Sequence, residues 1–324
     1  MKTLVVVSDI HGAGPAEQAR RGFESRSISS LLLRTLAKTY RHWIWMRDPL
    51  AHGGQFDKFL RAAGEPDLVV ANGDYSVDSG FTGLADDAVF ETVRDCLNGL
   101  RSRFGSRLLA AMGDHELGKM NLFGGAGGLR LASYHRATTE LGLQRFWKVE
   151  LGNYLLMGIT SSLVALPVFT PEILPEECAG WEALREEHLQ EIRQTFGALR
   201  PAQRVVLFVH DPTALPFLAQ EETVRRRLGQ IERTIIGHLH SPSFLRAGTL
   251  LAGMPEIRFL GNTVRRYSAA LRRARDWKAF NLLLCPSITG IQLLKDGGFL
   301  RLEIDPEGRQ PLRSRIHPLP WSAP

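Results

Sequence analysis

The 324-residue chain has few cysteines and lacks long hydrophobic runs. Since no run of 18 uninterrupted apolar residues occurs, we predict that no helix crosses a membrane. Met1-Lys2 leads directly into a strand-like run, so we expect no secretory signal peptide. The three cysteines have no metal-binding spacing, which predicts reduced thiols in a cytoplasmic protein. They are Cys96, Cys178 and Cys285.

Negative charge is scarce in the C-terminal part of the chain. From residue 200 onward there are 19 Lys and Arg residues against 10 Asp and Glu, although the whole chain has a net charge of only +6. This imbalance favours an anionic partner that meets the C-terminal half. An apolar content of 44% and a charged content of 23% are ordinary for a soluble globular protein.

Short apolar runs alternate with longer amphipathic or polar segments. This alternation predicts one α/β or layered α+β domain over residues 1–305, followed by a Pro- and Arg-rich tail over 306–324. The strand-like runs are 3–8, 68–72, 107–112, 146–151, 154–160, 205–209, 233–236, 281–285, 290–294 and 299–304. Helical spacing is found at 25–41, 86–104, 129–141, 181–196 and 221–228.

Five of the strand-like runs end in Asp or His. Because functional residues collect at the carboxyl ends of strands in parallel or mixed sheets, we expect these side chains to converge. In an Asp-x-His or His-x-His pair, both side chains project to the same side of an extended segment. The residues at these ends are Asp9, His11, Asp74, Asp114, His115, His210, His238 and His240.

The types of these side chains predict a metal site. Carboxylates and imidazoles without thiolates are typical ligands of Mn, Fe or Zn, whereas Ca and structural Zn sites use other ligand sets. Seven such ligands exceed the needs of one tetrahedral ion and suit two ions that share a carboxylate. We therefore expect a dinuclear hydrolase site with two divalent ions, Mn being preferred and Fe or Zn being alternatives.

The motifs resemble, in their order, those of the calcineurin-like metallophosphoesterases. That family has Asp-x-His, Gly-Asp, Gly-Asn-His-Glu/Asp, an isolated His and Gly-His-x-His. The corresponding segments here are Asp9-Ile10-His11, Gly73-Asp74, Gly113-Asp114-His115-Glu116, His210 and Gly237-His238-Leu239-His240. The resemblance covers most of the chain and implies a four-layer α/β/β/α sandwich.

The resemblance also implies a dinuclear-metal-dependent phosphohydrolase, in which metal-bound hydroxide attacks a phosphoester or pyrophosphate. The first metal would be held by Asp9, His11 and His240. The second would be held by Asp114, His210 and His238, and Asp74 would bridge the two ions.

Two further residues receive catalytic roles from the resemblance. His115 would stay unligated and would hydrogen-bond the phosphoryl group or protonate the leaving oxygen. Asp78 would orient His115, as the second Asp of the family's Gly-Asp-x-x-Asp motif does, although Asp78 follows Asp74 by four residues instead of three.

Asp114 departs from the family, which usually has Asn at this position. The added negative charge should tighten divalent-ion binding and weaken the Lewis acidity of that ion, unless Asp114 is protonated and mimics an amide. On sequence alone we expect Asp114→Asn to retain both metals and most of the activity.

Two segments mix aromatic and basic residues. An insert around 40–60 contains three aromatic residues within 40–45, and it is either a core-packing segment or a patch at a membrane interface. A basic helical segment around 258–278 is either a solvated helix face or a surface for anionic lipid or nucleic acid.

These segments favour a lipid-linked phosphate-containing substrate over nucleic acid. The chain is similar in this respect to the UDP-2,3-diacylglucosamine hydrolases of lipid A biosynthesis. We therefore expect a cytoplasmic enzyme at the inner face of a membrane, acting on such a pyrophosphate or on another phosphodiester. The alternatives are a nuclease or nucleotide phosphodiesterase of the same superfamily, or a metal-binding scaffold without catalysis.

Overall fold

The computed structural model describes residues 1–257 and 262–321, which contain two five-stranded sheets. The strands of the first sheet, in spatial order, are β10 (Arg313–Pro318), β9 (Gly298–Ile304), β1 (Lys2–Val7), β2 (Leu68–Ala71) and β3 (Leu108–Ala110). Those of the second are β4 (Phe146–Leu151), β5 (Tyr154–Ile159), β6 (Arg204–Val209), β7 (Ile231–Ile236) and β8 (Leu282–Leu284).

Both sheets are mixed. Strands β1, β2 and β3 are parallel, while β9 is antiparallel to β1 and to β10. In the second sheet β5 to β8 are parallel and β4 forms an antiparallel hairpin with β5. Most of the parallel strands are nearly continuous apolar runs because both of their faces are covered, whereas β7 carries Glu232, Arg233 and Thr234.

Six helices have eight or more residues within the described ranges. They are α1 (Leu31–Trp43), α2 (Gly53–Ala62), α3 (Asp87–Phe104), α4 (Cys178–Gly197), α5 (Pro242–Leu250) and α6 (Asn262–Arg272). Shorter α-helical turns occur at Pro15–Gln18, Phe23–Arg26, Asp114–Leu117, Leu131–His135, Ser161–Val164, Leu166–Phe169, Leu215–Leu218 and Glu222–Arg225. No helix in the described part of the chain is both long and apolar enough to span a bilayer.

Alternate residues of each strand belong to different layers. Leu4 and Val6 pack in one apolar cluster with Val206 and Phe208, which places that cluster between the two sheets. On the outer side of the first sheet, Phe299 of β9 contacts Phe59 of α2 with ring centroids 5.3 Å apart. Helix α4 covers the second sheet and buries side chains that include Trp181, Ile192 and Phe196. The predicted four-layer α/β/β/α sandwich is therefore confirmed.

Among the strands, the structure differs from the sequence predictions in two places. Residues 290–294 form a turn instead of a strand, because Gly290 has φ +64° and Asp296 accepts the backbone N–H of Ile291. The predicted tail contains strand β10, which pairs with β9 along its length. Of the basic segment 258–278, residues 258–261 lie outside the described residues, as do 322–324 of the tail; α6 occupies 262–272.

Candidate metal centre

The ends of the strands meet at one point because hydrogen bonds join them within each sheet and from one sheet to the other. The backbone N–H of Asp9 donates to the carbonyl of Gly73 at 3.1 Å, which aligns the ends of β1 and β2. The backbone N–H of His238, beyond β7, donates to both carboxylate oxygens of Asp9 at 3.0 and 3.1 Å. Ser287, beyond β8, donates its hydroxyl to the carbonyl of Asp9 and its N–H to the carbonyl of His240. The first and last motifs of the chain are thereby brought together.

The first cluster contains Asp9, His11 and His240, whose ligand atoms lie within 4.8 Å of one another. The Nε2 atoms of the two imidazoles are 3.0 Å apart. Oδ1 of Asp9 lies 3.4 Å from Nε2 of His240 and 3.8 Å from Nε2 of His11. All three side chains are buried, and their ligand atoms face a common point.

The second cluster contains Asp74, Asp114, His210 and His238, again within 4.8 Å. Nε2 of His210 lies 3.0 Å from Oδ2 of Asp74 and 3.5 Å from Oδ1 of Asp114. Nδ1 of His238 lies 3.1 Å from the same Asp114 oxygen. Asp74 also groups with His11 and His115, so it lies between the two clusters. The structure thus brings together all seven residues that the sequence predicts as metal ligands.

Hydrogen bonds to the far ring nitrogens orient two of the imidazoles. Nδ1 of His210 lies 2.7 Å from the carbonyl of Asn72, and Nδ1 of His11 lies 3.3 Å from the carbonyl of Ser76. A carbonyl can only accept, so in both rings Nδ1 carries a proton, and a neutral ring would present the lone pair of Nε2 to the cluster. Nε2 of His210 is buried and has no hydrogen-bond partner in the part of the chain that the structure describes. Such an arrangement suits a cation.

The charges of the buried carboxylates also indicate that the site needs cations. Burial opposes ionisation of Asp9, yet the nearby imidazoles, His210 foremost, hold its pKa below the usual range. Burial likewise opposes ionisation of Asp74, but His115 and His210 lower its pKa to about 2. The pKa of Asp114 is well below its usual range despite burial, because His238 and Lys119 favour the charged form. Three buried carboxylates that surround the imidazole of His210 need cationic compensation, which divalent ions would supply.

Backbone strain is concentrated at the same residues. Nine non-glycine residues in the described part of the chain have positive φ, and five of them are predicted ligands. They are Asp9, His11, Asp74, His238 and His240. Left-handed conformations cost energy for residues other than glycine and tend to cluster at functional sites. The strand ends are therefore bent sharply enough to direct side chains inward.

Glu116 holds the ends of β2 and β3 together. Its carboxylate accepts the backbone N–H groups of Asp74, Tyr75 and Gly113 at 2.7–2.9 Å. Burial, reinforced by the charge of Asp74, raises the pKa of Glu116 to about 8. Glu116 thus positions the backbone at the ends of β2 and β3, and its carboxylate does not belong to either cluster.

The predicted role of Asp78 is not reproduced by the contacts of His115. Nδ1 of His115 lies 2.9 Å from the carbonyl of Ser76, and Nε2 contacts the ammonium group of Lys119. Oδ1 of Asp78 instead accepts the N–H of Gly83 at 3.0 Å. Ser76, through its backbone carbonyl, therefore takes the place beside the ring that was predicted for Asp78.

Three residues near the clusters were not singled out from the sequence. Lys119 lies just beyond the helical turn Asp114–Leu117, and its ammonium group contacts Nε2 of His115. Trp45 packs on His240 with ring centroids 4.5 Å apart. Arg266 of α6 places Nη2 at 3.3 Å from Oδ2 of Asp114. The last two contacts cross long stretches of sequence and leave no local signal.

Neither a protein-family model nor a curated protein sequence matches this chain. Solved structures do match. A dimetal phosphatase from Danio rerio is 12% identical, with a TM-score of 0.49 over 93% of this chain and 92% of that one. A purple acid phosphatase from yellow lupin is 10% identical, with a TM-score of 0.37 over 74% and 38%. A predicted phosphoesterase from Streptococcus pneumoniae is 13% identical, with a TM-score of 0.28 over 98% of each chain. All three are phosphatases or phosphoesterases by name, and their identities and TM-scores are too low to assign an activity to this chain.

Proposed function

We propose that this chain is a phosphohydrolase that depends on two divalent metal ions. The observation that carries the proposal is the pair of adjacent buried Asp/His clusters with Asp74 between them. Asp9, His11 and His240 would hold one ion, and Asp114, His210 and His238 the other. Bound there, the ions would supply Lewis acidity that activates water and polarises a phosphoryl group. Mn²⁺ is the preferred ion, with Fe and Zn as alternatives.

His115 and Lys119 are the groups that we assign to the phosphoryl oxygens and the leaving group. The ammonium group of Lys119 contacts Nε2 of His115, so the pair presents one positive charge beside the Asp74 carboxylate. The backbone N–H of His115 is held by Oδ1 of Asp74 at 3.1 Å. A proton shared by this pair could pass to the leaving oxygen as the phosphoester bond breaks.

The first test is hydrolysis by purified, Mn²⁺-loaded protein of bis-p-nitrophenyl phosphate, and its loss in His115→Asn. We expect turnover by the wild type and a drop of about 100-fold or more in the variant. As a control, His317→Asn changes an exposed imidazole on β10 and should leave turnover unchanged. Absence of turnover by the wild type with Mn²⁺, Fe²⁺ or Zn²⁺ would favour a catalytically inactive metal-binding scaffold.

We further propose that the substrate is lipid-linked, of the UDP-2,3-diacylglucosamine type. Every residue of α1 is partly or fully exposed. Leu32, Leu36 and Trp43 recur at helical spacing and form what we call the α1 apolar face. Their exposed fractions are 70, 56 and 65%. An apolar face of this kind on an exposed helix suits the boundary between lipid headgroups and acyl chains.

The α1 apolar face is connected to the metal centre by aromatic contacts. Tyr40 of α1 stacks on Trp45 with ring centroids 6.3 Å apart, and Trp45 packs on His240. Beside α1 lies a cavity of about 430 Å³. Its lining combines the apolar side chains of Phe23, Ile28, Met46 and Leu50 with the basic Lys38, while Arg41 in the same lining pairs with Glu24. Apolar and cationic groups together match an acyl chain attached to a phosphate.

Vesicle binding tests the lipid proposal. We expect the protein to co-sediment with vesicles that contain phosphatidylglycerol, and the double variant Leu32→Glu with Leu36→Glu to bind about 100-fold more weakly, since each buried Leu contributes about 1.5 kcal/mol or more. Ile316→Glu, which adds a charge at an exposed apolar residue of β10, is the control.

Assays with candidate substrates distinguish a lipid-linked substrate from the alternatives. We expect UDP-2,3-diacylglucosamine to be cleaved at its pyrophosphate with a lower KM than bis-p-nitrophenyl phosphate. Cleavage of DNA or RNA, with binding that weakens steeply as salt is raised, would instead indicate a nuclease. If the Leu32→Glu, Leu36→Glu variant and the wild type were equally active on vesicle-borne substrate, the α1 apolar face would have no role in substrate binding.

A further inference from the structure

Arg266 is a cationic side chain that contacts a predicted metal ligand from outside the motifs. Its side chain is 13% exposed, and its guanidinium stacks over the ring of Phe169 with Cζ 4.3 Å from the ring centroid. Nη2 lies 3.3 Å from Oδ2 of Asp114. An arginine in such surroundings stays charged, since its pKa is far above neutrality and the nearby carboxylates of Glu172, Asp114 and Asp211 raise it further against the effect of burial.

Because of this contact, the two oxygens of the Asp114 carboxylate have different partners. Oδ1 faces the imidazoles of His238 and His210, at 3.1 and 3.5 Å. Oδ2 faces Arg266. The two terminal atoms of an asparagine side chain differ in the same way, because its carbonyl oxygen can bind a metal while its NH₂ group faces away. An aspartate carries one extra negative charge, and the guanidinium supplies the matching positive charge.

We propose that Arg266 is a positioning residue that neutralises Asp114 and turns one carboxylate oxygen toward the second metal site. The pair then presents the net charge and the single oxygen of an amide ligand. This inference rests on the proposed function, because it assumes that the second cluster holds an ion. It assigns to α6, within the basic segment of the sequence, a role at the metal centre instead of on a surface.

The position of Arg266 is held by carboxylates on two other segments. Nη1 lies 3.7 Å from Oε2 of Glu172, and Nη2 lies 3.9 Å from Oδ2 of Asp211. Glu172 is buried and also accepts hydrogen bonds from Asn262 of α6 and from the backbone N–H of Met120, both at 3.0 Å. The start of α6 is therefore fastened to the loop that follows His115. Lysine could not replace this planar group, because it has one charged nitrogen for three partners.

Charge balance predicts opposite effects for the two single variants. Asp114→Asn keeps Arg266 and so leaves an unbalanced positive charge beside the second site, which should weaken its metal affinity about 10- to 100-fold. Arg266→Gln leaves Asp114 unbalanced, which should keep or raise the affinity while lowering the melting temperature of the metal-free protein. The double variant should return both quantities close to wild-type values. The proposal therefore predicts weaker binding at the second site, whereas the sequence alone predicts that Asp114→Asn retains both metals.

The experiment is a calorimetric titration of metal-free protein with Mn²⁺, together with melting temperatures before and after loading. The control is Arg265→Gln, which removes an equal charge from a neighbouring residue that contacts Glu172 at 3.7 Å and Asn262 at 2.9 Å. It should leave the second-site affinity within about twofold of the wild type. Restoration of affinity in the double variant is a result that loss of a merely structural contact would not produce.

The outcomes separate the two proposals. If the wild type binds no divalent ion, the proposed function fails. If the wild type binds two ions and Asp114→Asn binds both as tightly, or if the two substitutions weaken binding additively, the role of Arg266 is overturned. If Arg266→Gln does not fold, Asp114→Asn still decides, because Arg266 keeps Glu172 and Asp211 as partners in that variant.

Discussion

Asp9 has the densest set of interactions among the candidate ligands. Its carboxylate accepts the backbone N–H of His238 from the second sheet and the hydroxyl of Ser8 at 2.6 Å. Oδ1 of the same carboxylate faces His11 and His240. A single buried side chain thus serves both as a junction between the sheets and as part of the first candidate metal site.

Asp9→Asn tests the metal assignment at this residue. The amide retains one oxygen for the N–H of His238 but loses the charge, so we expect the bound metal to fall from two ions to about one per chain. Turnover should fall about 100-fold or more, since the Lewis acidity of one ion contributes several kcal/mol. Elemental analysis and circular dichroism measure the two effects. Asp67→Asn, at a surface pair with Lys2, is the control. Two retained ions with unchanged turnover would refute the assignment of the first site.

At the scale of elements, the site exists because strands of different sheets end very close together. Gly237 follows β7 directly, and a Cβ atom built on it would lie 2.0 Å from Oγ of Ser8 and 2.6 Å from Oδ2 of Asp9. Its backbone N–H also donates to the carbonyl of His210 at 2.9 Å. Only a residue without a side chain allows β7 to reach the end of β1.

Gly237→Ala should therefore separate the ends of β1 and β7. We expect a loss of at least about 2 kcal/mol in the free energy of unfolding, because the clash involves a buried, hydrogen-bonded carboxylate. Mn²⁺ affinity should fall in the same variant. Urea denaturation and metal titration measure these losses. Gly229→Ala, where a Cβ atom meets nothing within 4 Å, provides the matched control. Equal losses in both variants would show that the close approach is unimportant.

Helix α4 is joined to the β4–β5 hairpin by a charged contact that depends on pH. Glu191 lies 3.6 Å from Nδ1 of His188 and 3.0 Å from Nε of Arg145, just before β4. His188 and Arg145 together lower the pKa of Glu191 to about 2, although burial opposes this. A carboxyl group with a lowered pKa in the folded state stabilises the fold above its unfolded pKa of about 4.3 and stops doing so as pH falls through the folded value.

Glu191→Gln should therefore be less stable than the wild type at pH 7, with a deficit that shrinks as pH falls from about 4.3 toward about 2. Urea denaturation at pH 7 and pH 3 measures the deficit at each end. Glu187→Gln affects a more exposed contact with Arg145 and should show a smaller deficit at pH 7. A deficit for Glu191→Gln that is the same at both pH values would mean that its charge is not responsible.

At the scale of the whole molecule, the two clusters lie where the two sheets meet. Asp9, His11, Asp74 and Asp114 follow strands of the first sheet, whereas His210, His238 and His240 follow strands of the second. Each cluster takes ligands from both sheets. Bound ions would therefore link the two halves of the sandwich and offset the repulsion among buried carboxylates.

Removal of metal should for this reason lower the stability of the whole domain. Treatment with a chelator is expected to reduce the melting temperature in one cooperative step, and Mn²⁺ should restore it. Each ion that binds only the folded state adds about 2.7 kcal/mol when its free concentration is 100 times Kd. Differential scanning calorimetry measures the shift, and Mg²⁺ serves as a comparison because it prefers oxygen ligands. An unchanged melting temperature after removal of metal would contradict the proposed link.

The sequence by itself determined the layered α/β class and the approximate positions of all the described strands other than β10. It also determined the seven residues that gather in the two clusters. These features are local, because a buried parallel strand needs an apolar run and the residue that ends it is its direct neighbour in the chain. The false strand at 290–294 shows the limit, since an apolar run cannot report the positive φ of Gly290 or the side-chain contact from Asp296.

Only the tertiary structure decided which groups surround the clusters. Ser76 replaces Asp78 at His115 through a backbone carbonyl, a group that every residue has and no motif can reveal. Arg266 reaches Asp114 across 152 residues, and Trp45 reaches His240 across a longer stretch. Such contacts depend on how the layers pack and not on the order of neighbouring residues. The contact between Arg266 and Asp114 therefore could not be predicted from the sequence.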